Sequence, residues 1–311
     1  MSDKIATRQA YGETLAKLGA THPEIVVLDG DLSGSTMTKL FAKAYPERFF
    51  NMGIAEQNLY GTAAGLALSG KTVFASTFAM FASGRAYEIV RNSIAYTGAN
   101  VKICATHAGL TVGEDGGSHQ CIEDIALMRV IPGMTVVSPA DAVSARVLTE
   151  KIAELKGPVY FRLGRSAVPV LYPDDATFEI GKAVELRPGN DGAIIATGVM
   201  VAEAVAAADR LKEEGLQLRV LDMHTIKPLD EKAILKAASE TGGIVTVEEH
   251  SVIGGLGGAV AELVVRKQPV PMAMIGVNDV FGQSGKPSEL LVAHGLTADH
   301  IMEAARRLKQ K

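Results

Sequence analysis

Tryptophan is missing from these 311 residues, and aromatic side chains make up only 5% of them. There are only two cysteines, Cys104 and Cys121, too few for a metal cluster or a disulfide framework and in keeping with a reducing cytoplasm. No apolar run approaches the roughly 20 residues needed to span a bilayer, so no membrane association is expected. The opening "MSDKIATRQAYGETL" has no apolar signal core, which argues against export and for a cytoplasmic location. Excess basic charge is also lacking: the formal net charge of −4 leaves no electrostatic footprint for nucleic acid. What is abundant is glycine, 32 residues, in a chain that is 47% apolar and 21% charged. That mixture suits a soluble α/β protein with tight turns and close backbone approaches.

Apolar β-rich runs alternate with helical patterns. "EIVVLDGD" (24–31), "KTVFAST" (71–77), "VKICATHAG" (101–109), "MTVVSPAD" (134–141) and "PVYFRLG" (158–164) predict buried strands. Helical patterns over 6–19 and 140–155 lie among them. Such alternation implies a parallel sheet covered on both faces. Turn formers dominate 172–191, which predicts a linker. A second α/β series follows, with strands expected at 192–198, 216–225, 242–250 and 271–277 and a helix over 200–215, for a shorter domain of about five strands.

In such folds ligands gather at the carboxyl ends of strands. The polar segments there are Asp29 to Ser35, Ser76 to Phe81, His107 to His119, and Arg165. Asp222, His224, Glu248, Glu249 and His250 end strands of the second series, where a structural or interface role outweighs a catalytic one. Within "NMGIAEQNLYGTAAGLALSG" (51–70) a lone carboxylate, Glu56, heads a helix of small and apolar residues. A charge so placed is either favoured by the helix dipole or kept for chemistry.

"THAGLTVGEDGGSHQ" (106–120) is the most unusual polar segment. Its His, Asp and Glu first suggest a metal, but the spacing matches neither HExxH nor a Cys/His pattern, and no metal site is expected. Glycines that let a ligand approach and two histidines that can exchange protons near neutral pH favour a substrate-binding loop. "GGLGGAVAELV" (254–264) resembles a dinucleotide fingerprint without the strand and acidic partner that would complete it, so tight helix packing is the better account. "LDGDLSGS" (28–35) resembles a phosphate loop without a Lys-Ser/Thr pair. Arg162 and Arg165, three apart on an extended chain, fall on opposite faces, so at most one should face a given site.

In their order and spacing, "ATR" at Arg8, "GDLSGS" (30–35), "GIAEQ" around Glu56, "STFAMF" (76–81), the 106–120 loop and "RLGRSAVP" (162–169) resemble the C-terminal half of a transketolase, a thiamine-diphosphate enzyme. The resemblance covers nearly the whole chain. It implies two doubly wound α/β domains, a pyrimidine-binding domain over 1–178 and a transketolase C-terminal domain over 179–311. It also implies roles. The glutamate matched by Glu56 contacts the pyrimidine N1′ of the cofactor, and the proton shared there activates the thiazolium carbon. Phe78 and Phe81 match aromatic residues that enclose the aminopyrimidine, while Gly84 stands where a third aromatic is usual. His107 and His119 match catalytic histidines beside the sugar, and Asp115 a reader of an acceptor hydroxyl. Arg8, Ser35 and Arg165 match the phosphate end of the channel, and Asp31 a residue near the cofactor.

The family's diphosphate-binding domain, with its GDG motif and metal ligands, is not represented, and "DGD" at 29–31 belongs to a different element. The resemblance therefore implies one subunit of a split transketolase of the pentose phosphate pathway. A partner chain would hold the diphosphate and Mg2+ (or Ca2+), and two copies of each chain would form an α2β2 heterotetramer acting on sugar phosphates. Rival readings are the β subunit of a 2-oxo acid dehydrogenase E1 component, a deoxyxylulose-phosphate-synthase-like enzyme, and a non-catalytic scaffold partner. The 106–120 loop and the Arg8/Ser35/Arg165 set favour a phosphorylated sugar over a 2-oxo acid.

Overall fold

Every residue of the strands β2 (Ile25–Asp29), β4 (Thr72–Phe78), β5 (Val101–Thr106) and β7 (Val159–Arg162) is buried in the computed structural model, which describes residues 3–309. Near-continuous apolar runs predict this, because a strand covered on both faces has no solvent side to mark with regularly alternating polar residues. The remaining strands of the first half are β1 (Lys4–Ala6), β3 (Phe49–Asn51), β6 (Thr135–Val137) and β8 (Ala167–Pro169). Those of the second half are β9 (Val184–Arg187), β10 (Ala193–Ala196), β11 (Arg219–Asp222), β12 (Thr225–Lys227), β13 (Ile244–Ser251) and β14 (Met272–Val277).

A seven-stranded sheet has the order β12-β6-β7-β5-β4-β2-β3 and is parallel except for β12. Alternate residues of β4 point to opposite faces. Phe74 joins Tyr11 and Leu15 of the helix Thr7–Thr21 and Val147 and Leu148 of the helix Ala142–Glu154. Val73 and Ala75 join Leu59, Tyr60, Ala63 and Ala64 of the helix Glu56–Leu68. A five-stranded sheet, β14-β13-β10-β11-β9, carries the second half, with β9 antiparallel at its edge. The α/β architecture and the five strands of the second sheet are as anticipated.

Several boundaries differ. The run at 134–141 shortens to Thr135–Val137, because Asp141 caps the next helix, its Oδ1 accepting from the Ser144 amide at 2.8 Å. The turn-rich 172–191 segment contains β9, whose Val184 and Leu186 pack against the core. The single strand expected over 216–225 divides at Met223 and His224, and its second part, β12, leaves its own sheet to pair antiparallel with β6 of the other. The end of the first half is also tied to its beginning, since β1 and β8 form a two-stranded sheet of their own.

Candidate active site

The parallel strands β2, β4, β5 and β7 all release the chain at the same sheet edge, so the polar segments after them converge. After β2, the Asp29 carboxylate gathers the loop, accepting from the Leu32 amide at 2.6 Å and from the hydroxyls of Thr36 at 2.7 Å and Thr38 at 2.9 Å. That is why "LDGDLSGS" looks like an anion loop: the anion is its own aspartate. Asp31, next but one, is exposed with φ 64° and accepts from Asn51 Nδ2 at 2.8 Å.

After β4, Phe78 is 7% exposed and Phe81 half-buried, their rings nearly parallel with centroids 6.0 Å apart. The segment Phe81–Arg85 then winds as a π-helical turn, a form found often at functional sites. It leaves Gly84 exposed, and a Cβ there would approach only the Met80 Cε, at 2.5 Å. The groove of about 610 Å³ lined by Met80, Phe81, Gly84 and Arg85 also takes Phe281, which reaches it from the second half.

Glu56 opens its helix and is only 8% exposed. It lines an adjoining groove of about 370 Å³ with Ile54, Gln57 and Arg85, and Gln57 and Arg85 line the Phe81 groove as well. On that helix Ala63 and Ala64 are buried in the chain's own core. Gly61 and Gly65 face outward, and a Cβ on either would meet nothing within 4 Å.

After β5 comes His107, 3% exposed and held at φ 59°. Its ring stacks on Phe78 with centroids 3.8 Å apart, and its Nδ1 is 2.9 Å from the Thr106 hydroxyl. His119 stands edge-on to Phe81 at 5.5 Å and to Phe78 at 6.4 Å. Burial first, then the nearby charges of Arg8, Arg165 and His119, pull His107 down to about 3. The imidazole is therefore neutral at physiological pH and serves as a hydrogen-bond partner. Its folded pKa lies below the ordinary value near 6.5, so the folded state binds fewer protons in between. The stability this group contributes is present above 6.5 and lost as pH falls toward 3. In NMR titration of the intact chain, the His107 Cε1–H shift should stay flat from about pH 8 to about pH 5, where an ordinary histidine would titrate. A midpoint between about 5 and 7 would contradict this account.

Arg8, Ser35 and Arg165 are brought together: Arg8 Nη1 donates to the Ser35 carbonyl at 2.6 Å, and its Nε to the Arg165 carbonyl at 3.3 Å. Arg165 Nη1 reaches the Val112 carbonyl at 2.5 Å and Glu114 at 3.1 Å, tying it to the 106–120 loop. Asp115 is exposed on that loop. Arg162 points the other way, buried in an ion pair with Asp124 at 2.8 Å. Among the described residues no group of three or more His, Cys, Asp and Glu stands where it could hold a metal ion.

The motifs did not single out Thr106, Arg85 or Gln120, which touch the same region. Glu249, for which a structural or interface role is expected ahead of a catalytic one, reaches across from the second half: its Oε1 accepts from the Thr111 amide at 2.6 Å. No spacing signal could have linked residues 138 apart. Glu248 instead caps the helix Leu256–Lys267, accepting from the amides of Leu256 at 2.7 Å and Gly257 at 2.8 Å. A Cβ at Gly255 would overlap that carboxylate and one at Gly257 would meet the Thr246 hydroxyl at 2.8 Å, so close packing accounts for these two glycines of "GGLGG".

Residues 3–170 match the transketolase pyrimidine binding domain and residues 181–301 the transketolase C-terminal domain. The chain is 54% identical over 307 residues to a transketolase C-terminal section of Methanocaldococcus jannaschii, covering 98% of this chain and 95% of that protein. It is 42% identical over 304 residues to the 6-deoxy-6-sulfo-D-fructose transketolase subunit SqwH of Clostridium sp. (strain MSTE9), covering 98% and 94%. Its structure matches that of a split gene transketolase solved as an inactive β4 tetramer, with a TM-score of 0.93 and 55% identity over 98% of this chain and 99% of that one. No helix among the described residues is long and apolar enough to cross a membrane. With the pyrimidine-domain match spanning the segments that carry Glu56, Phe78, His107 and Arg165, and the C-terminal-domain match following it, the chain belongs to the transketolase family, whose enzymes depend on thiamine diphosphate.

Proposed function

We propose that this chain is the pyrimidine-binding subunit of a split transketolase that moves a two-carbon ketol unit between sugar phosphates in the cytoplasm. Residues 1–178 and 179–311 are its two domains. A partner chain supplies the diphosphate- and Mg2+-binding domain, in an assembly of two copies of each. The observation that carries the reading is the shared sheet edge, where the Phe78–His107 stack, His119 and the Arg8–Ser35–Arg165 contacts lie close together.

The residues fit half of the cofactor. A nearly buried carboxylate on a groove wall, in a groove adjoining that of Phe81, suits an aminopyrimidine, which offers a ring nitrogen for a proton and a flat face for stacking. When bound, thiamine diphosphate supplies a nucleophilic carbon that carries the two-carbon unit. Glu56 holds the proton at the pyrimidine nitrogen. Phe78 and Phe81 enclose the ring and keep water out, with Asp31 beside them. His107, neutral, and His119 exchange hydrogen bonds with sugar oxygens, and Asp115 reads a hydroxyl of the acceptor. Arg8, Arg165 and Ser35 hold the terminal phosphate, the arginines through charge-assisted bonds. A relative named for a sulfonated fructose is consistent with recognition of an anion at that end of the sugar.

Reconstitution tests the reading. The chain alone should show no ketol transfer with any sugar phosphate, and activity should appear when the partner chain, thiamine diphosphate and Mg2+ are added together. Vigorous transfer by the verified single chain would overturn the split-enzyme reading. Decarboxylation of 2-oxo acids by the reconstituted pair, without ketol transfer, would move the protein to the dehydrogenase class.

A further inference from the structure

The four glycines of the loop Thr106–Gln120 predict a backbone that a ligand approaches closely, but the structure puts protein there. A Cβ at Gly109 would overlap the carboxyl of Glu249. At Gly113 it would meet Arg165 Nη1 at 3.2 Å and Pro287 at 3.3 Å, at Gly116 the Ser284 hydroxyl at 2.5 Å, and at Gly117 the Gly282 carbonyl at 2.9 Å. At each of the four positions the second domain supplies a contact. The reciprocal contact is as close: a Cβ at Gly282 would overlap Gln120 Oε1.

Hydrogen bonds fix the same two ends. At the start of the loop, Glu249 accepts from the Thr111 amide at 2.6 Å, four residues after His107. At its end, Gln120, next to His119, donates through Nε2 to the Gln283 carbonyl at 2.9 Å and the Leu110 carbonyl at 3.1 Å. Gln120 is 3% exposed, so this amide is a buried tie between the two ends of the loop and the second domain. Below it, Ser251 N donates to the Ile122 carbonyl at 2.7 Å and Arg162 Nη2 to the Glu249 carbonyl at 2.9 Å.

We propose that the second domain is a two-point clamp on the sugar-binding loop, with Glu249 and the turn Gly282–Ser284 as positioning residues that set where His107 and His119 stand. None of them touches the substrate; they act through Thr111, Gly116, Gly117 and Gln120. The inference rests on the functional reading above for the identity of the ligand, and on geometry alone for the clamp. It gives the second domain a task in acceptor recognition.

Gly282→Ala is the sharpest probe, because it pushes a methyl group against Gln120 and leaves the Glu249 contact in place. In hydrogen–deuterium exchange of the full chain, peptides covering 108–120 should exchange faster than in the parent, and those covering 56–68 should not change. In the reconstituted enzyme, KM for the sugar phosphates should rise at least about tenfold, since displacing a contact group by 1 Å can cost ~10²-fold. A role limited to general stability would instead reduce the amount of active enzyme and leave KM unmoved. Glu249→Ala should repeat the effect at the other end, and Glu249→Gln, which keeps an acceptor for the Thr111 amide, should restore most of it. Should Gly282→Ala not fold, the Glu249 pair decides the question by the same exchange measurement. Unchanged exchange over 108–120 in whichever of these variants folds would overturn the clamp. Absence of ketol transfer in the parent would overturn the functional reading while exchange still judged the clamp.

Discussion

Replacing Glu56 by glutamine should slow turnover of the reconstituted enzyme by at least about 10²-fold, the usual scale for losing an acid–base contribution. Glutamine has the length and shape of glutamate but no acidic proton to share. The fold should survive, because a neutral amide on a groove wall is easier to desolvate than a carboxylate. The helix loses only a favourable charge in its first turn, worth about 0.3–1 kcal/mol. Exchange of the C2 hydrogen of bound thiamine diphosphate for deuterium isolates the step, separate from later sugar chemistry. Exchange as fast as in the parent would remove Glu56 from the activation step and leave only its helix-terminal role.

The second large effect concerns stability. Asp124→Ala should destabilise the chain by roughly 3–5 kcal/mol, because it strands a buried guanidinium. Arg162 is 5% exposed and Asp124 fully buried, joined at 2.8 Å, with the Tyr160 hydroxyl on the same carboxylate oxygen at 2.8 Å. Without that carboxylate, the hydrogen bonds left to Arg162 go to the carbonyls of Glu249 at 2.9 Å and Cys121 at 3.4 Å, with the Glu249 carboxyl, itself pushed up by burial, as a remaining acidic neighbour. Carbonyls orient a cation but do not neutralise it. Urea unfolding of parent and variant measures the difference, and a loss below about 1 kcal/mol would mean that water or a shifted backbone reaches Arg162.

The central strands were legible because burial on both faces leaves a near-continuous apolar signature, and their polar ends then pointed to one sheet edge. The π-helical turns at Phe81–Arg85 and Val90–Ala95 were not, since the extra residue per turn follows from packing and has no local composition of its own. β9 was hidden because Val184 and Leu186 alternate with charged neighbours amid turn formers. Arg8, Ser35, Phe78, His107, His119 and Arg165, gathered through the resemblance of their motifs, lie near one another in the fold. What escaped was that Glu249 of β13 and Gly282 touch this loop, because a contact between segments of two domains leaves no spacing to read. The glycines of the 106–120 loop were visible, but the same residue serves close approach of a ligand or of another chain segment, and only the coordinates tell which.

The pairing of β12 with β6 bears on how the chain can be divided. A cut after residue 178 respects the sequence pattern but removes Thr225–Lys227 and bares the hydrogen-bonding groups of β6 along the sheet's margin. Lys227 goes with it, whose Nζ donates to the carbonyls of Arg129 at 2.9 Å and Ile131 at 2.5 Å. An open strand margin is a template for adding further strands, so the amino-terminal piece made alone would tend to self-associate edge to edge. A cut just beyond Lys227 keeps the borrowed strand but takes β13 and β14 from the second sheet and bares β10, so no single cut between residues 178 and 271 leaves both sheets whole.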